Sequence, residues 1–522
     1  MTTAAFLAVA VIGSWVILWL RSRRALVDLP VMGDASLLAP WKVACGLASP
    51  SDKISQEAYE KHRDGAYQFA TAAGWEVCIC NDALVKELAQ IPEDVMSLYA
   101  FNDVLFQSRY TSPGFADSVE NLPIQILSKA LAWARVRGSA EKDVYFSGLV
   151  DDLECGINQE ISPSATGMPK YCIFFMLCAL LIVLSLGWTR LNCFRLGTHL
   201  LLRLITHVLF GAPLCRDPRA IDIFSRYGAS VPVSGRLIGF FPPALRPLVA
   251  PYIEAPKLSK ELDAMLLQLI ADRRISHLKE PETVTDWLCR WVQTETSGQY
   301  SDLHIAQTLV SVVFGSVHSA GTRPRSARLT IKQVLASCLY ELSRRPEYIE
   351  PLHEEVRRAF EVHNGWCKEA IESMVKVDSF IKECHRHHPI APVALTRLAK
   401  RDHTFSNGLS LPRGTFLHAP NTPHLMDEKY YARSEEFEGF RFYREGQQTN
   451  CPDDFKIAGS SPPNRQFGAG RHTCPGKQLA ADSLRLGMAY ILMHCDVAND
   501  GHIASSASLT QAGLNLRRRN LM

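Results

Sequence analysis

One short segment near the C-terminus contains the residues best suited to chemistry. It reads Phe467-Gly468-Ala469-Gly470-Arg471-His472-Thr473-Cys474-Pro475-Gly476. Its three glycines let the backbone turn tightly and approach a flat ligand closely. A helix start follows at Lys477, so Cys474 lies just before a helix N-terminus, where the helix dipole and free N–H groups favour a thiolate. Such a thiolate is a nucleophile or a soft metal ligand, and Arg471 and His472 can add positive charge beside it.

The alternatives for Cys474 are a buried structural cysteine, a zinc ligand and a protease nucleophile. No second ligand stands at zinc spacing in the sequence, and no His/Asn pattern typical of a cysteine protease is evident. The whole segment resembles the haem-binding loop of the cytochrome P450 family, F-x-x-G-x-[R/H]-x-C-x-G.

This resemblance implies that Cys474 is the axial ligand of the iron in haem b. The thiolate donates electron density to the iron and favours O–O cleavage, and backbone N–H groups after the cysteine tune its potential. By the same resemblance Phe467 packs against the loop, and Gly470 and Gly476 shape it. His472 takes the place of the usual arginine and contacts a haem propionate.

A second pattern, Glu383-Cys384-His385-Arg386, puts an acid and a base three residues apart on one helix face. Solvated pairs of this kind are common and carry little weight alone. The setting of this one resembles the ExxR helix of the family, whose pair binds a downstream arginine. Arg441 is the candidate third partner, although Ser434 and Gly439 stand where the family often has proline. The resemblance implies that the three residues support the haem site structurally.

Three further residues match positions near the haem propionates in the family. Arg397 follows Ala394-Leu395-Thr396, and Trp133 and Arg137 form a WxxxR pattern on an earlier helix. The resemblance implies that all three bind the cofactor. The alternative for Arg397 is a surface arginine before a strand.

The segment Phe314-Gly315-Ser316-Val317-His318-Ser319-Ala320-Gly321 resembles the oxygen-activating helix of the family. Small Gly315 and Ser316 would leave room for oxygen, while His318 and Ser319 stand where the family has an acid and a threonine. A histidine relays protons near neutral pH and a serine hydroxyl can hold a water or peroxide oxygen, so the resemblance implies catalytic roles for both. The alternative is a helix whose polar residues face a loop. Residues 323–328 depart from the family, because their proline breaks a helix.

The elements that position these residues are mostly helical in pattern. Of 522 residues, 47% are hydrophobic and 21% charged, which predicts a large core and excludes a long disordered protein. The net charge of +3 argues against nucleic acid as a partner, and the 15 cysteines suggest neither a zinc framework nor a disulfide framework. Apolar spacing at Leu258–Leu278 and Val334–Phe360 indicates helices, and an Asn407-Gly408 turn within Thr404–Thr415 indicates a hairpin. We therefore expect a mainly α fold with a small β region, the cytochrome P450 fold.

The N-terminus carries an apolar run, Ala4–Leu20, followed by Arg21, Arg23 and Arg24. This pattern predicts an uncleaved transmembrane anchor with the main body in the cytosol. A cleaved secretory signal is the alternative, but nothing basic precedes the run. We expect residues 1–24 to form the anchor and basic stop, 25–50 a linker and 51–522 a single haem domain. The resemblance to microsomal members implies one membrane pass at the endoplasmic reticulum.

A second apolar stretch, Tyr171–Trp188, is long enough to span a membrane. Three interpretations remain open: a real span, a helix that dips into the membrane surface, and translated non-coding sequence. A real span would place Cys474 on the opposite side of the membrane from the basic cluster that follows the anchor.

The sequence around Pro346–Leu352 and Gly439–Tyr443 resembles that of fungal members of the family that oxidise terpenoids and other secondary metabolites. The resemblance implies a monooxygenase that inserts one oxygen atom from O2 into an apolar small molecule. NADPH would supply electrons through NADPH-cytochrome P450 reductase, docked on the basic face near the cysteine. The alternatives are a reductase-independent haem-thiolate isomerase, dehydratase or peroxygenase, and a degenerate, non-catalytic membrane protein.

Overall fold

The structure is a computed structural model. It describes Gly13 and residues 27–36, 38–44, 52–71, 74–116, 122, 124–140, 142–161, 188–275, 281–296, 299–317, 331–459, 465–499 and 512–519. The predicted anchor apart from Gly13, residues 171–187 of the second apolar stretch, His318 with Ser319, and residues 323–328 lie outside these ranges.

Helices make up most of the described chain. In chain order they are α1 (Ala39–Ala44), α2 (Asp52–Lys61), α3 (Asp82–Gln90), α4 (Leu98–Phe106), α5 (Ser108–Thr111), α6 (Ile124–Ala140), α7 (Lys142–Ile161), α8 (Cys193–Phe210), α9 (Ala212–Arg216), α10 (Pro218–Gly239), α11 (Arg246–Val249), α12 (Glu254–Ile275), α13 (Val284–Glu295), α14 (Asp302–Val317), α15 (Ile331–Arg344), α16 (Ile349–Val362), α17 (Lys368–Ser373), α18 (Val375–His387), α19 (Thr422–Leu425), α20 (Arg441–Gln447) and α21 (Lys477–His494). Short 3-10 turns lie at Pro113–Phe115, Ala250–Tyr252, Pro346–Tyr348, Pro452–Phe455 and Gly470–His472.

The β structure is small and divides into three sheets. The strands are β1 (Val31–Met32), β2 (Ala66–Thr71), β3 (Gly74–Ile79), β4 (Met96–Ser97), β5 (Thr189–Asn192), β6 (Val393–Ala399), β7 (His403–Thr404), β8 (Ser410–Leu411), β9 (Phe416–Pro420), β10 (Cys495–Asn499) and β11 (Gly513–Arg518). They pair in the orders β1-β2-β3-β9-β6-β4, β10-β11-β5 and β7-β8. The mainly α class with a small β region is confirmed, and so is the hairpin at Asn407-Gly408, which joins β7 to β8.

Helix α8 lies at the centre of the main apolar core. It packs against α7 and α15, and its leucines at 200, 201 and 202 are buried. Among the described residues α8 is the one helix with the length and hydropathy of a membrane span, and 78% of it is buried inside the protein. Its apolar character is therefore explained by core packing.

The predicted helical stretch Val334–Phe360 is interrupted in the structure. Helix α15 ends at Arg344, a 3-10 turn covers Pro346–Tyr348, and α16 begins at Ile349. Proline has no N–H to continue the helical hydrogen bonds and disfavours helical geometry in the residue before it. The helical prediction for this stretch is therefore met by two helices joined by a turn.

Helices α10 and α4 approach each other closely at a glycine. A Cβ added at Gly235 would stand 2.5 Å from the carbonyl oxygen of Phe106, a backbone atom with little freedom to move. The neighbouring Gly239, at the end of the same helix, has its nearest atom at 3.9 Å. Gly235 thus fixes the distance between two helices next to the face of α14.

We expect Gly235→Ala to lower the free energy of unfolding by about 1 to 3 kcal/mol, because the methyl group must push α4 away. Gly239→Ala, the matched control, should be neutral or stabilising by up to about 1 kcal/mol, since alanine favours helix. Urea unfolding of both variants measures the difference. Equal stability of the two proteins would contradict the close approach of these helices.

Candidate functional site

The cysteine loop, residues 467–476, is a tight turn held by its own backbone. The N–H of Cys474 donates to the carbonyl of Phe467 at 2.8 Å, and the Thr473 hydroxyl donates to the carbonyl of Gly470 at 2.9 Å. Gly470 has a φ of 64°, and a Cβ there would fall inside van der Waals contact with the carbonyl oxygen of Ala89 on α3. Only glycine fits this position, so the loop is seated directly on α3.

Gly476 differs from the glycines before it. Its φ is −96°, and a Cβ there would meet the Leu131 side chain of α6 at an ordinary 3.7 Å. Among the described residues nothing requires a glycine at this position. The predicted close approach of a flat ligand to Gly476 stays a prediction.

The electrostatics of Cys474 differ from the expectation. Burial raises the pKa of the Cys474 thiol, while a hydrogen bond from the Gly476 N–H and the charge of Lys477 act in the opposite direction. Burial is the larger influence, so the pKa of the thiol is raised overall although the groups at the helix N-terminus favour the thiolate. The expected backbone N–H donor to the sulfur is present. A metal ion on the sulfur supplies the charge that replaces the thiol proton.

The two cationic residues of the cysteine loop are directed elsewhere. Arg471 is exposed and donates to the carbonyl of Gln90 at 2.8 Å. His472 lies with its Nε2 2.9 Å from Oε2 of Glu93. The positive charge beside Cys474 therefore comes from Lys477, and not from these two residues as the sequence suggested.

Glu93 is a site residue that the sequence analysis missed. Its carboxylate accepts from the Ser97 hydroxyl and from the backbone N–H groups of Leu98 and Tyr99, both at 3.2 Å, so it caps the N-terminus of α4. Although burial opposes this, hydrogen bonds from His472 and Ser97 lower the pKa of Glu93 overall. Glu93 thus joins α4 to the cysteine loop. Its partner lies far away along the chain, so no local motif marks it.

Arg397 is nearly fully buried on β6, with 2% of its surface exposed. A bulge separates it from Ala394, and Leu395 within that bulge has a left-handed φ of 53°. Bulges of this kind redirect side chains beside functional sites. Burial lowers the pKa of Arg397 to about 10. The alternative of a surface arginine was wrong.

The guanidinium of Arg397 is only partly satisfied. Its Nη1 donates to the carbonyl of Thr396 at 2.7 Å, whereas Nε and Nη2 are buried without a hydrogen-bond partner in the described structure. Buried unpaired donors on a cation are unfavourable and indicate an anionic partner. A haem propionate is a carboxylate, so the donor set of Arg397 fits that group.

Glu383, Arg386 and Arg441 form one buried charge network. Arg386 holds Glu383 with two bonds of 2.9 Å, and Arg441 Nε lies 3.3 Å from Glu383 Oε1. These bonds lower the pKa of Glu383 to about 2, although its burial acts in the opposite direction. Both arginines also donate to backbone carbonyls of the irregular chain at 425–436. Loss of one member of such a buried pair is strongly destabilising, by about 3 to 5 kcal/mol.

The packing around position 439 explains why a glycine stands there. A Cβ there would stand 2.6 Å from the Tyr348 ring and 2.8 Å from the Phe380 ring, and the Gly439 N–H donates to the Tyr348 hydroxyl at 3.1 Å. A proline lacks this N–H and carries the extra atoms. The departure from the family's usual proline is therefore matched by the aromatic packing around it.

Trp133 and Arg137 lie on α6, the helix that contacts the cysteine loop through Leu131 and Gly476. Trp133 is partly buried against the main core. The side chain of Arg137 lies outside the part of the structure that is described. The placement of α6 beside the loop agrees with the position that the resemblance implies.

Helix α14 packs against its neighbours through aromatic side chains. The Phe314 ring lies 5.4 Å from Phe106, 6.4 Å from Phe115 and 6.3 Å from Tyr227, centroid to centroid. A Cβ added at Gly315 would stand 3.2 Å from the Phe115 ring, so this ring lies beside the space that the sequence assigned to oxygen. The assignment of that space to oxygen stays a prediction. This part of α14 packs in a cluster of aromatic rings.

Comparison with known proteins identifies the class of this chain. Residues 187–517 match the model of the Cytochrome P450 family. The chain is 40% identical to the cytochrome P450 monooxygenase janQ of Penicillium janthinellum over 92% of its length and 89% of the relative's. It is 39% identical to paxQ of Penicillium paxilli, over 92% and 87%, and 38% identical to atmQ of Aspergillus flavus, over 92% and 84%. With its helical fold and cysteine loop, the chain belongs to the cytochrome P450 family and is an oxidoreductase of the monooxygenase type.

Proposed function

We propose that this monooxygenase binds haem b through Cys474 and oxidises an apolar small molecule of the terpenoid or another secondary-metabolite class. The observation that carries the proposal is the cysteine loop itself, in which Cys474 receives a backbone N–H at its sulfur and the loop is seated on α3. The bound haem would supply the chemistry for inserting one oxygen atom from O2. The protein residues position the cofactor and the substrate and exclude water.

The residues around the cofactor would have different roles. Arg397 and His472 would hold the propionates, with Trp133 and Arg137 of α6 on the neighbouring side. Phe467, Gly470 and Gly476 would shape the cysteine loop beneath the cofactor, and the network of Glu383, Arg386 and Arg441 would hold the irregular chain behind it. His318 and Ser319 would hold a proton and a water at the oxygen side. The unpartnered donors of Arg397 support this assignment most directly.

The apolar substrate is supported by the rings on α14. Phe314, Phe106 and Tyr227 are buried, and with Phe115 they form an apolar cluster without a charged side chain among them. A substrate bound beside such a cluster gains by burying apolar area, whereas a charged ligand would lose its hydration there. The similar fungal monooxygenases support the same broad class.

The first test is the spectrum of the dithionite-reduced, carbon-monoxide-bound protein. We expect the far red-shifted Soret band of a thiolate-ligated haem in the wild type and its loss in Cys474→Ser. Cys451→Ser, which removes an exposed cysteine, is the control and should keep the band. The same wild-type preparation should show a low- to high-spin shift with apolar terpenoids. A folded wild type that binds no haem, or a band retained in Cys474→Ser, would overturn the proposal.

Glu93 offers a second test, of how the cysteine loop is positioned. In Glu93→Gln the amide keeps an oxygen for the cap of α4, but the negative charge beside His472 is lost. Removing that charge favours addition of an electron, so the midpoint potential of the haem should rise on the order of tens of millivolts. Asp94→Asn, next in the chain and exposed in a pair with Arg401, is the matched control. Equal potentials in both variants and the wild type would exclude this role of Glu93.

The proposed partners are a membrane and NADPH-cytochrome P450 reductase, with the catalytic domain on the cytosolic side of the endoplasmic reticulum. Large apolar side chains between Val233 and Tyr252 are exposed, and those of Leu248 and Tyr252 expose 67% and 79% of their surface. Exposed apolar side chains on one segment favour membrane contact. Beside the cysteine loop, Lys86, Lys477 and Arg465 line a cleft of about 400 Å³ together with Asp82, which pairs with Arg465. The two lysines would make this region suited to an acidic flavoprotein.

Deleting residues 1–24 tests both partners together. The shortened protein should sediment less with endoplasmic-reticulum-like vesicles and show several-fold lower NADPH-driven turnover, because it no longer shares a membrane with the reductase. Peroxide-driven turnover, which bypasses the reductase, should stay unchanged. Full NADPH-driven turnover without any reductase would contradict the proposed electron donor, and unchanged sedimentation would contradict the anchor.

A further inference from the structure

Three metal-ligating side chains meet away from the cysteine loop, where α7, α8 and α9 pack together. They are Asp152, His207 and Cys215. His207 Nδ1 lies 2.5 Å from Asp152 Oδ2, Cys215 Sγ lies 2.9 Å from the same oxygen, and Sγ lies 3.8 Å from Nδ1. One nitrogen, one oxygen and one sulfur thus surround a common point. Asp152 and Cys215 are fully buried, and the His207 side chain is 17% exposed.

Neighbouring groups hold these three side chains in place. Arg216 Nε donates to Asp152 Oδ1 at 2.5 Å, which leaves Oδ2 facing His207 and Cys215. Arg203 Nη1 donates to the carbonyl of Cys215 at 3.1 Å. Hydrogen bonds of this kind, one layer outside the ligands, orient metal ligands and raise affinity.

A glycine leaves room for the histidine ring. A Cβ added at Gly148 on α7 would stand 3.1 Å from Cε1 of His207. Gly211, with a φ of 89°, ends α8 and turns the chain so that α9 returns Cys215 to the side of His207. The local backbone therefore brings the cysteine and the histidine together from adjoining helices.

The competing explanation is a hydrogen-bond network without a metal. Asp152 would accept from the His207 ring, the Cys215 thiol and Arg216, and these bonds lower its pKa although burial opposes them. Burial and the adjacent Asp152 carboxylate raise the pKa of the Cys215 thiol. In this explanation the Cys215 thiol proton and the His207 ring proton both point at Asp152 Oδ2. A divalent cation bound to the three side chains can take the place of both protons.

The spacing of the ligand atoms is compatible with such a replacement. Zinc bonds of about 2.0 Å to oxygen and nitrogen and about 2.3 Å to sulfur, in a tetrahedron, separate ligand atoms by about 3.3 to 3.6 Å. The Sγ–Nδ1 distance of 3.8 Å is already close to this range. The two contacts to Oδ2, at 2.5 and 2.9 Å, are hydrogen bonds and must each lengthen by less than about 1 Å to reach this range.

We propose that Asp152, His207 and Cys215 bind one zinc ion that pins α7, α8 and α9 together. Binding breaks the S–H bond of Cys215 and forms a Zn–S bond, and the ring proton of neutral His207 moves from Nδ1 to Nε2 by exchange with solvent. One proton in total is released, with no change of oxidation state. The carboxylate and the thiolate supply two negative charges, and Asp152 shares its charge between zinc and Arg216. The partial exposure of His207 leaves the fourth position to water. The mixed nitrogen, oxygen and sulfur donors suit zinc better than magnesium or calcium.

The test measures zinc in the full-length haem protein, purified without a polyhistidine tag. The protein is stripped with EDTA, equilibrated with one equivalent of zinc and desalted, and zinc per chain is measured by mass spectrometry. We expect close to one zinc per chain, and zinc-edge X-ray absorption should show one sulfur at about 2.3 Å. Cys215→Ser and His207→Gln should each lower zinc retention at least tenfold. Cys289→Ser, a buried cysteine of α13, is the matched control and should retain zinc.

Either of two results on the wild type overturns the proposal: failure to retain zinc, or retained zinc with no sulfur in its first shell. These measurements do not depend on whether a variant folds. Zinc should also raise the unfolding temperature of the wild type and leave that of Cys215→Ser unchanged, because binding to the native state alone stabilises it. An equal rise in both proteins would show that zinc binds elsewhere and would also refute the proposal.

Discussion

The structure around the cysteine loop depends on the ion pairs of the buried Glu383 carboxylate. A carboxylate removed from water is unfavourable unless cations and hydrogen bonds replace its hydration. Arg386 and Arg441 provide both, and their remaining N–H groups bind carbonyls at Leu425, Ala432 and Ser434. The chain between α19 and α20 is irregular, so its carbonyls lack the partners that a helix or strand would give them. The two arginines therefore neutralise the buried carboxylate and satisfy the carbonyls of a loop at the same time.

The cysteine loop depends on partners that come from the other end of the chain. Gly470 rests on Ala89 of α3, and His472 is held by Glu93, which also caps α4. Helix α4 in turn packs against α10 at Gly235. The cysteine loop and the helices that carry the aromatic rings are therefore joined by a short series of packed contacts.

The parts of the site that could be predicted from sequence are those encoded by neighbouring residues. Glu383 and Arg386 lie on one helix turn, and the cysteine loop contains its own glycines and its own helix start. The break at Pro346 has a local cause as well, since proline rarely continues a helix. Helical class and the hairpin at Asn407-Gly408 followed from the same short-range rules.

The parts that could not be predicted depend on packing between distant segments. Glu93 meets His472 only after the fold forms, and the Phe115 ring comes near Gly315 because a 3-10 turn packs against α14. The sign of the pKa shift at Cys474 has the same origin. A helix N-terminus is visible in the sequence, whereas the burial that outweighs it is a property of the whole structure.

Burial has the same effect on the thiols of Cys474 and Cys215, although their surroundings differ. Burial raises the pKa of both thiols. Cys474 has a backbone N–H and a lysine that partly offset this, while Cys215 has an aspartate that reinforces it. Neither thiol ionises readily without a cation, yet each lies among groups that orient it toward a single point. A buried cysteine in such a position reacts selectively with metal ions. A metal ion neutralises the thiolate as it binds, whereas solvent reagents need the thiolate to form first.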